Sequence, residues 1–393
     1  LLNRAKRPVI LAGNGIRLAG AVEKFRDLAA KIKVPILTTW KAIDFFDQNN
    51  ELFIGRPGTV GQRAANFAQQ NADLMITIGA RLDVSQVAYN YENFAPRAKK
   101  VIVDVDAREI KKLSFKTDLV FGLDAGIFLN ALVAGLDQVK VDFRDWLNRC
   151  REWKDKYPVV LPEYYQQKEY VNTYCLVDLL SKLLTQDDLI VPGSSGSCSE
   201  ITLQSFKVKL GQRIINSPGL GSMGFGLPAS IGACLASGKK RTVCLVGDGG
   251  LQHNIQELEL LKRYQLPVKL FVLNNNAYAS IRATHNKFFN QHLVACDPSS
   301  GLTLPDTVKV AQAYGLRTLR IINHEGLEEA LKEILDSSGP LICEVMVDPD
   351  LLTQPRVASQ AGPDGKMTSM PMEDLWPLLD RDEFKANMDQ DLL

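Results

Sequence analysis

An apolar run, Thr242–Gly247, empties into Asp248-Gly249-Gly250, and Asn275 stands 27 residues after Asp248 at the end of another apolar run, inside Asn274-Asn275-Asn276. A strand that delivers a carboxylate into glycines sets an anionic oxygen beside free backbone N–H groups. A helix starting there adds its positive end. Two neighbouring strand ends then offer one carboxylate and carboxamide oxygens, the hard donors that a Mg²⁺–diphosphate complex needs. Taken singly, Asp248 reads as a helix cap and the asparagines as a turn. The matched pair, one strand–helix–strand unit apart, favours the ligand reading.

Other small-residue clusters also follow apolar strands. Gly193-Ser194-Ser195-Gly196-Ser197 comes after Leu189-Ile190-Val191 and reads as a phosphate-friendly turn, or as a plain polar one. Gly219-Leu220-Gly221-Ser222-Met223-Gly224 satisfies G-x-G-x-x-G, with Asp248 a further 24 residues on, so a dinucleotide fingerprint is an alternative there. Nearer the start, Gly79-Ala80-Arg81-Leu82-Asp83 follows a strand over 74–78, and Asp104-Val105-Asp106 ends the next. The bland readings are an ion pair for Arg81 and a helix cap for Asp104. His253 and His285, near the predicted site, read as surface or helix-start residues.

The elements that must hold these residues alternate. Strands are predicted at 8–12, 34–37, 74–79 and 100–105, with helices at 21–32 and 61–70. Residues 138–168, rich in Trp, Tyr and charge and interrupted by Pro158 and Pro162, read as a helix plus a crossing linker. Strands follow at 188–192, 213–216, 242–247, 267–274, 316–321 and 340–347, separated by helical patterns such as 224–236 and 254–264. Nearly continuous apolar strands alternating with helices argue for parallel sheets covered on both faces. The expected fold class is α/β: two doubly wound, Rossmann-like parallel-sheet domains at 1–137 and 169–353, plus a C-terminal tail at 354–393. That tail, with Gly362-Pro363-Asp364-Gly365, is expected to wrap over a surface. Ligands of such sheets sit at the carboxyl ends of the strands, where the clusters above lie.

Composition narrows the function classes. Lys and Arg total 46 against 45 Asp and Glu, so no basic excess marks a nucleic-acid partner. No apolar stretch is long enough for a membrane-spanning helix. Apolar residues at 46% and charged residues at 23% are those of an ordinary soluble globular protein. Seven cysteines without C-x-x-C spacing predict reduced thiols and a cytoplasmic setting. The chain opens Leu1-Leu2-Asn3-Arg4 and reads as a piece of something longer.

Gly247-Asp248-Gly249 followed by Asn274-Asn275 resembles the signature of the thiamine diphosphate enzymes. The likeness extends over essentially the whole chain and is nearest to the acetolactate synthase and pyruvate oxidase branch. It implies that Asp248, Asn275 and the Ala277 carbonyl hold Mg²⁺. It likewise implies that the N–H groups of Gly249 and Gly250, with Gly196-Ser197, meet the diphosphate. The loop 219–228 resembles the segment beneath the thiazolium, where Met223 would prop the bent cofactor and the Gly221 carbonyl would accept from the aminopyrimidine. The first domain resembles the family's central domain, implying FAD or ADP at Arg81 and Asp104.

The resemblance implies decarboxylation of a 2-ketoacid such as pyruvate, with transfer of the two-carbon unit to a carbonyl acceptor, by a homodimer or homotetramer. Departures leave the acceptor open. Synthases carry Gly-Gln-His-Gln where this chain has Gly196-Ser197-Cys198-Ser199, and a Trp where it has Thr284. The tail around Pro371-Met372-Glu373-Asp374-Leu375-Trp376-Pro377 resembles synthase-like proteins of bacterial surface-sugar pathways. A keto-sugar nucleotide acceptor, simple decarboxylation or oxidation, and a non-catalytic nucleotide-binding module are the alternatives. In the family the activating glutamate comes from a separate N-terminal domain, so no catalytic residue is expected within this chain. The isolated chain is expected to be inactive.

Overall fold

A computed structural model of the 393-residue chain describes residues 1–194, 196–362 and 366–388. Ser195 of the serine cluster and Pro363, Asp364 and Gly365 of the tail lie outside the described residues. The chain divides into one unit of Leu1–Val159 with Gln354–Leu393, and another of Val160–Thr353.

The first unit holds six parallel strands: β1 (Pro8–Ala12), β2 (Ile36–Thr38), β3 (Phe53–Gly55), β4 (Leu74–Ile78), β5 (Lys99–Asp104) and β6 (Leu119–Gly122), in the order β3-β2-β1-β4-β5-β6. β1 and β4 are buried along their whole length, as strands covered on both faces must be. Two strands carry no clear sequence signal. β3 is three residues long, and the edge strand β6 leaves Leu119 and Val120 exposed. The chain changes direction between β1 and β4, and there the backbones touch: a Cβ on Gly79 would lie 2.6 Å from the Gly15 Cα.

Residues 138–168 do not behave as a linker throughout. Helix Arg144–Lys156 belongs to the first unit and buries Trp146, Leu147, Cys150 and Trp153 in its core. The Trp146 indole donates to the Pro8 carbonyl at 3.1 Å, and Trp153 packs on Phe67 with ring centroids 5.6 Å apart. The buried positions repeat at helical spacing, but the charged residues between them hide the stripe. The tail is likewise part of this unit. It returns to helix Arg63–Asn71, whose Asn66 and Asn71 amides donate to the carbonyls of Met372 and Asn387 at 2.7 and 3.0 Å.

The second unit carries β7 (Leu189–Pro192), β8 (Arg213–Ile214), β9 (Thr242–Gly247), β10 (Val268–Asn274), β11 (Arg317–Ile321) and β12 (Leu341–Met346), all parallel, in the order β11-β12-β10-β9-β7-β8. The sequence expectation matches all six within a few residues at each end. From β7 the chain passes to β8 on one side and then to β9 on the other. The switch point, and the crevice it opens at the strand carboxyl ends, therefore lies between β7 and β9. Both units are doubly wound α/β folds, as expected.

Candidate functional site

β7, β9 and β10 are neighbours, so the segments that follow them share one rim. Leu273 of β10 pairs with Gly247 of β9, which sets Asp248 beside the turn Asn274–Ala277. Asp248 opens a one-turn helix, Asp248–Leu251, and is only 4% exposed. Its Oδ1 accepts the Gly249 N–H and its Oδ2 the Asn276 N–H, both at 2.7 Å. Burial pushes this carboxyl up to about 6, although backbone N–H groups of Gly249, Asn276, Asn275 and Ala277 pull the other way. A carboxylate so desolvated gains strongly from a cation placed against its free lone pairs.

The turn after β10 supplies the other donors. Asn276 takes a left-handed conformation, φ 51°, and its N–H also donates to Asn274 Oδ1 at 2.9 Å. Asn275 Oδ1 accepts the Ala277 N–H at 3.1 Å. Among the described residues no group of three or more His, Cys, Asp or Glu gathers as a metal site. The donor set here is instead one carboxylate with amide and main-chain oxygens. It fits a hard cation that arrives with a polyanion, and suits a transition metal poorly.

The other predicted residues come to the same rim. Gly196 and Ser197 form a short 3₁₀ turn after β7, and a Cβ on Gly196 would lie 3.0 Å from Ser280 Oγ, on the helix that follows Ala277. Gly221 sits in the loop between β8 and helix Gly226–Ala236, where a Cβ would lie 3.6 Å from the Ser194 carbonyl. Met223, in the same loop, leaves about a third of its surface exposed. Gly249 is required by packing: a Cβ there would stand 2.2 Å from the Tyr278 ring, while Gly250 has open space around it. Thr284 is exposed, with its hydroxyl turned back to the Ser280 carbonyl at 2.9 Å. His285 faces Cys296 Sγ at 3.8 Å.

Three contributors escape the sequence reading. Tyr278 covers Gly249. Glu344, on β12, reaches Asn274. Asn254 breaks the helical run after Asp248 (φ −140°, ψ 35°), and its amide donates to the Gly224 carbonyl at 3.0 Å, holding the loop of Gly221 and Met223. The helix expected over 254–264 is thus a 3₁₀ segment, Gln252–Glu257, followed by Leu258–Tyr264. The only sequence signal for Asn254 is its poor fit to a helix interior.

In the first unit, Arg81 and Asp104 line one crevice together with Ala80, Leu82 and Glu109. Arg81 has φ 63° and lies 3.4 Å from Glu109. Asp104 does not cap the following helix. It accepts the Asp106 N–H at 3.0 Å, and Asp106 is the cap.

Two doubly wound domains, one bringing a buried carboxylate, amide oxygens and glycine-containing turns to the carboxyl ends of neighbouring strands, define an α/β protein with the usual ligand-binding rim of such sheets. The family model described as "Thiamine pyrophosphate enzyme, C-terminal TPP binding domain" matches residues 194–345, and "Thiamine pyrophosphate enzyme, central domain" matches residues 1–132. The chain belongs to the thiamine pyrophosphate enzymes. It is similar to the acetolactate synthase large subunits of Cyanidium caldarium (31% identity, 88% of this chain, 58% of the relative) and Lactococcus lactis (32%, 88% and 58%). The isozyme 2 large subunit of Escherichia coli is 31% identical over 88% of this chain and 61% of its own length. The chain spans less than two thirds of the length of these relatives.

Proposed function

We propose that this chain forms the cofactor-holding part of a Mg²⁺- and thiamine diphosphate-dependent enzyme that decarboxylates a 2-ketoacid, pyruvate in the first place, and passes the two-carbon unit to a carbonyl acceptor. The observation that carries the reading is Asp248: a buried carboxylate with a raised pKa, bonded at 2.7 Å to the turn that holds Asn275 and Ala277. Similarity to acetolactate synthase large subunits supports the reaction class.

Asp248, Asn275 and the Ala277 carbonyl would hold the cation. The N–H groups of Gly249 and Gly250, with Gly196 and Ser197, would bind the diphosphate oxygens, and the Gly221–Met223 loop would orient the rest of the cofactor. Bound thiamine diphosphate supplies the carbanion chemistry. The side chains at this rim bind and orient, and the enzyme is read as a homo-oligomer. In the first unit, a flavin or adenine nucleotide as second ligand is read from the match to the family's central domain, with Arg81 and Asp104 beside one small crevice.

Calorimetric titration of the chain with thiamine diphosphate, in Mg²⁺ and then in EDTA, tests the reading. Binding that requires the cation is expected, and equal binding in EDTA would refute the metal assignment. Release of flavin or ADP on denaturation tests the first unit; neither nucleotide would remove Arg81 and Asp104 from the site.

A further inference from the structure

The turn that carries Asn275 and Ala277 is held from behind. Asn274 ends β10, and its side chain makes two bonds in opposite directions. Oδ1 accepts the Asn276 N–H at 2.9 Å, and Nδ2 donates to Glu344 Oε1 at 2.7 Å. Glu344 sits on the adjacent strand β12, two residues out of register with Asn274, and its side chain is 1% exposed. Its other oxygen accepts Arg320 Nε from the directly paired position on β11. Arg320, partly exposed, also donates to Asp306 at 3.1 Å. A buried carboxylate is thereby satisfied on both oxygens, one by a cation and one by the asparagine amide.

This arrangement fixes which way the Asn274 amide points. With Nδ2 committed to Glu344, Oδ1 faces the turn and shares the Asn276 N–H with Asp248. That shared N–H belongs to the residue in the left-handed conformation, so it sets the shape of the turn between Asn275 and Ala277. We infer that Glu344, through Asn274, is a positioning residue for the cation-binding turn, and that Arg320 neutralises it for that task. The inference rests on the metal reading of Asp248, Asn275 and Ala277. Groups that orient metal ligands in this way affect cation affinity by about 10- to 100-fold when altered.

Mg²⁺ demands near-ideal octahedral ligands, whereas Ca²⁺ tolerates irregular ones. A loosened turn should therefore penalise Mg²⁺ more than Ca²⁺, which a general loss of stability would not do. The test is the cation concentration giving half-maximal thiamine diphosphate binding by the 393-residue chain, measured with Mg²⁺ and with Ca²⁺. E344Q should raise that concentration about tenfold for Mg²⁺ and by less for Ca²⁺. N274A cuts the same link from the other end and leaves the Glu344–Arg320 pair whole. It should reproduce the effect, and the double variant should be no worse than the poorer single one. Wild-type Mg²⁺ dependence in both single variants, or equal losses with the two cations, would overturn the role of Glu344 while Asp248→Ala still weakened binding about a hundredfold. Cation-independent binding by the unaltered chain would overturn the metal reading and this inference with it.

Discussion

Asp248 Oδ2 accepts the N–H of Asn276 at 2.7 Å, so the end of β9 is tied to the turn after β10 by one side chain. The two strand ends proposed to hold the cation are thus joined by the chain's own hydrogen bond, which lowers the ordering cost of binding. Three segments distant in sequence meet there because β7, β9 and β10 lie side by side.

Asp248→Ala removes the carboxylate proposed to face a divalent ion and the cofactor's diphosphate. Thiamine diphosphate affinity in Mg²⁺ should fall by about a hundredfold, as expected when a charge-assisted ligand is lost. The ligand-free variant should melt no lower than wild type, because holding a carboxylate whose pKa is raised to about 6 opposes folding at neutral pH. Calorimetry and thermal melts of the two proteins check both halves.

The same carboxyl sets a pH dependence. Its folded pKa, about 6, lies above the ordinary 3.8, so between those values the folded chain binds more protons than the unfolded one. Ligand-free stability should therefore fall as pH rises through that window, by roughly 3 kcal/mol if this group acted alone. Cation binding needs the ionised form and runs the other way. Mg²⁺ affinity should drop about tenfold per pH unit below 6 and level off above it. A flat profile from pH 5 to 7 would place the cation elsewhere.

Asn254→Ala should separate the loop from the metal. It removes the bond to the Gly224 carbonyl, worth about 1 kcal/mol, and lets the interrupted helix continue. Cofactor affinity should fall about fivefold, since that energy is spent on the loop of Gly221 and Met223. The Mg²⁺ concentration for half-maximal binding should not change. A shift in that concentration would show that the loop and the cation turn act as one.

Much of this site was legible because its residues follow long apolar strands, whose ends a sequence marks plainly. Asp248 and Asn275 directly follow adjacent strands, so linear spacing and spatial proximity coincide. Asn254 and Glu344 were hidden for different reasons. Asn254 acts by breaking a helix whose apolar spacing continues past it, and Glu344 is one polar residue within the buried strand β12. Its partner on β10 depends on strand order, which no local pattern encodes. In the first unit, the helix expected within 138–168 is Arg144–Lys156, but its place in the core was hidden because charged residues outnumber its four buried ones. Which unit the tail covers was not legible, since its anchors to helix Arg63–Asn71 are largely amide hydrogen bonds.

Those amide anchors lead to a prediction about the first unit alone. Asn387 is 4% exposed on the last helix of the tail, Arg381–Met388. Its Oδ1 accepts the Trp153 indole N–H at 2.8 Å, and its Nδ2 donates to the Tyr157 hydroxyl at 2.7 Å. Tyr157 in turn donates to Glu383 at 2.8 Å. Asn387→Leu keeps the number and branching of the side-chain heavy atoms but leaves the buried indole N–H without an acceptor. An orphaned donor of this kind costs about 1–3 kcal/mol. In a unit of this size that is a fall of about 3–10 °C in melting temperature. Asn387→Asp, which keeps an acceptor for Trp153, should lose less. The Mg²⁺ dependence of thiamine diphosphate binding should be untouched in both variants, because every residue assigned to it lies in the other unit. Differential scanning calorimetry alongside the binding titration separates the two effects, and an unchanged melt in Asn387→Leu would show that the tail helix adds nothing to the stability of the first unit.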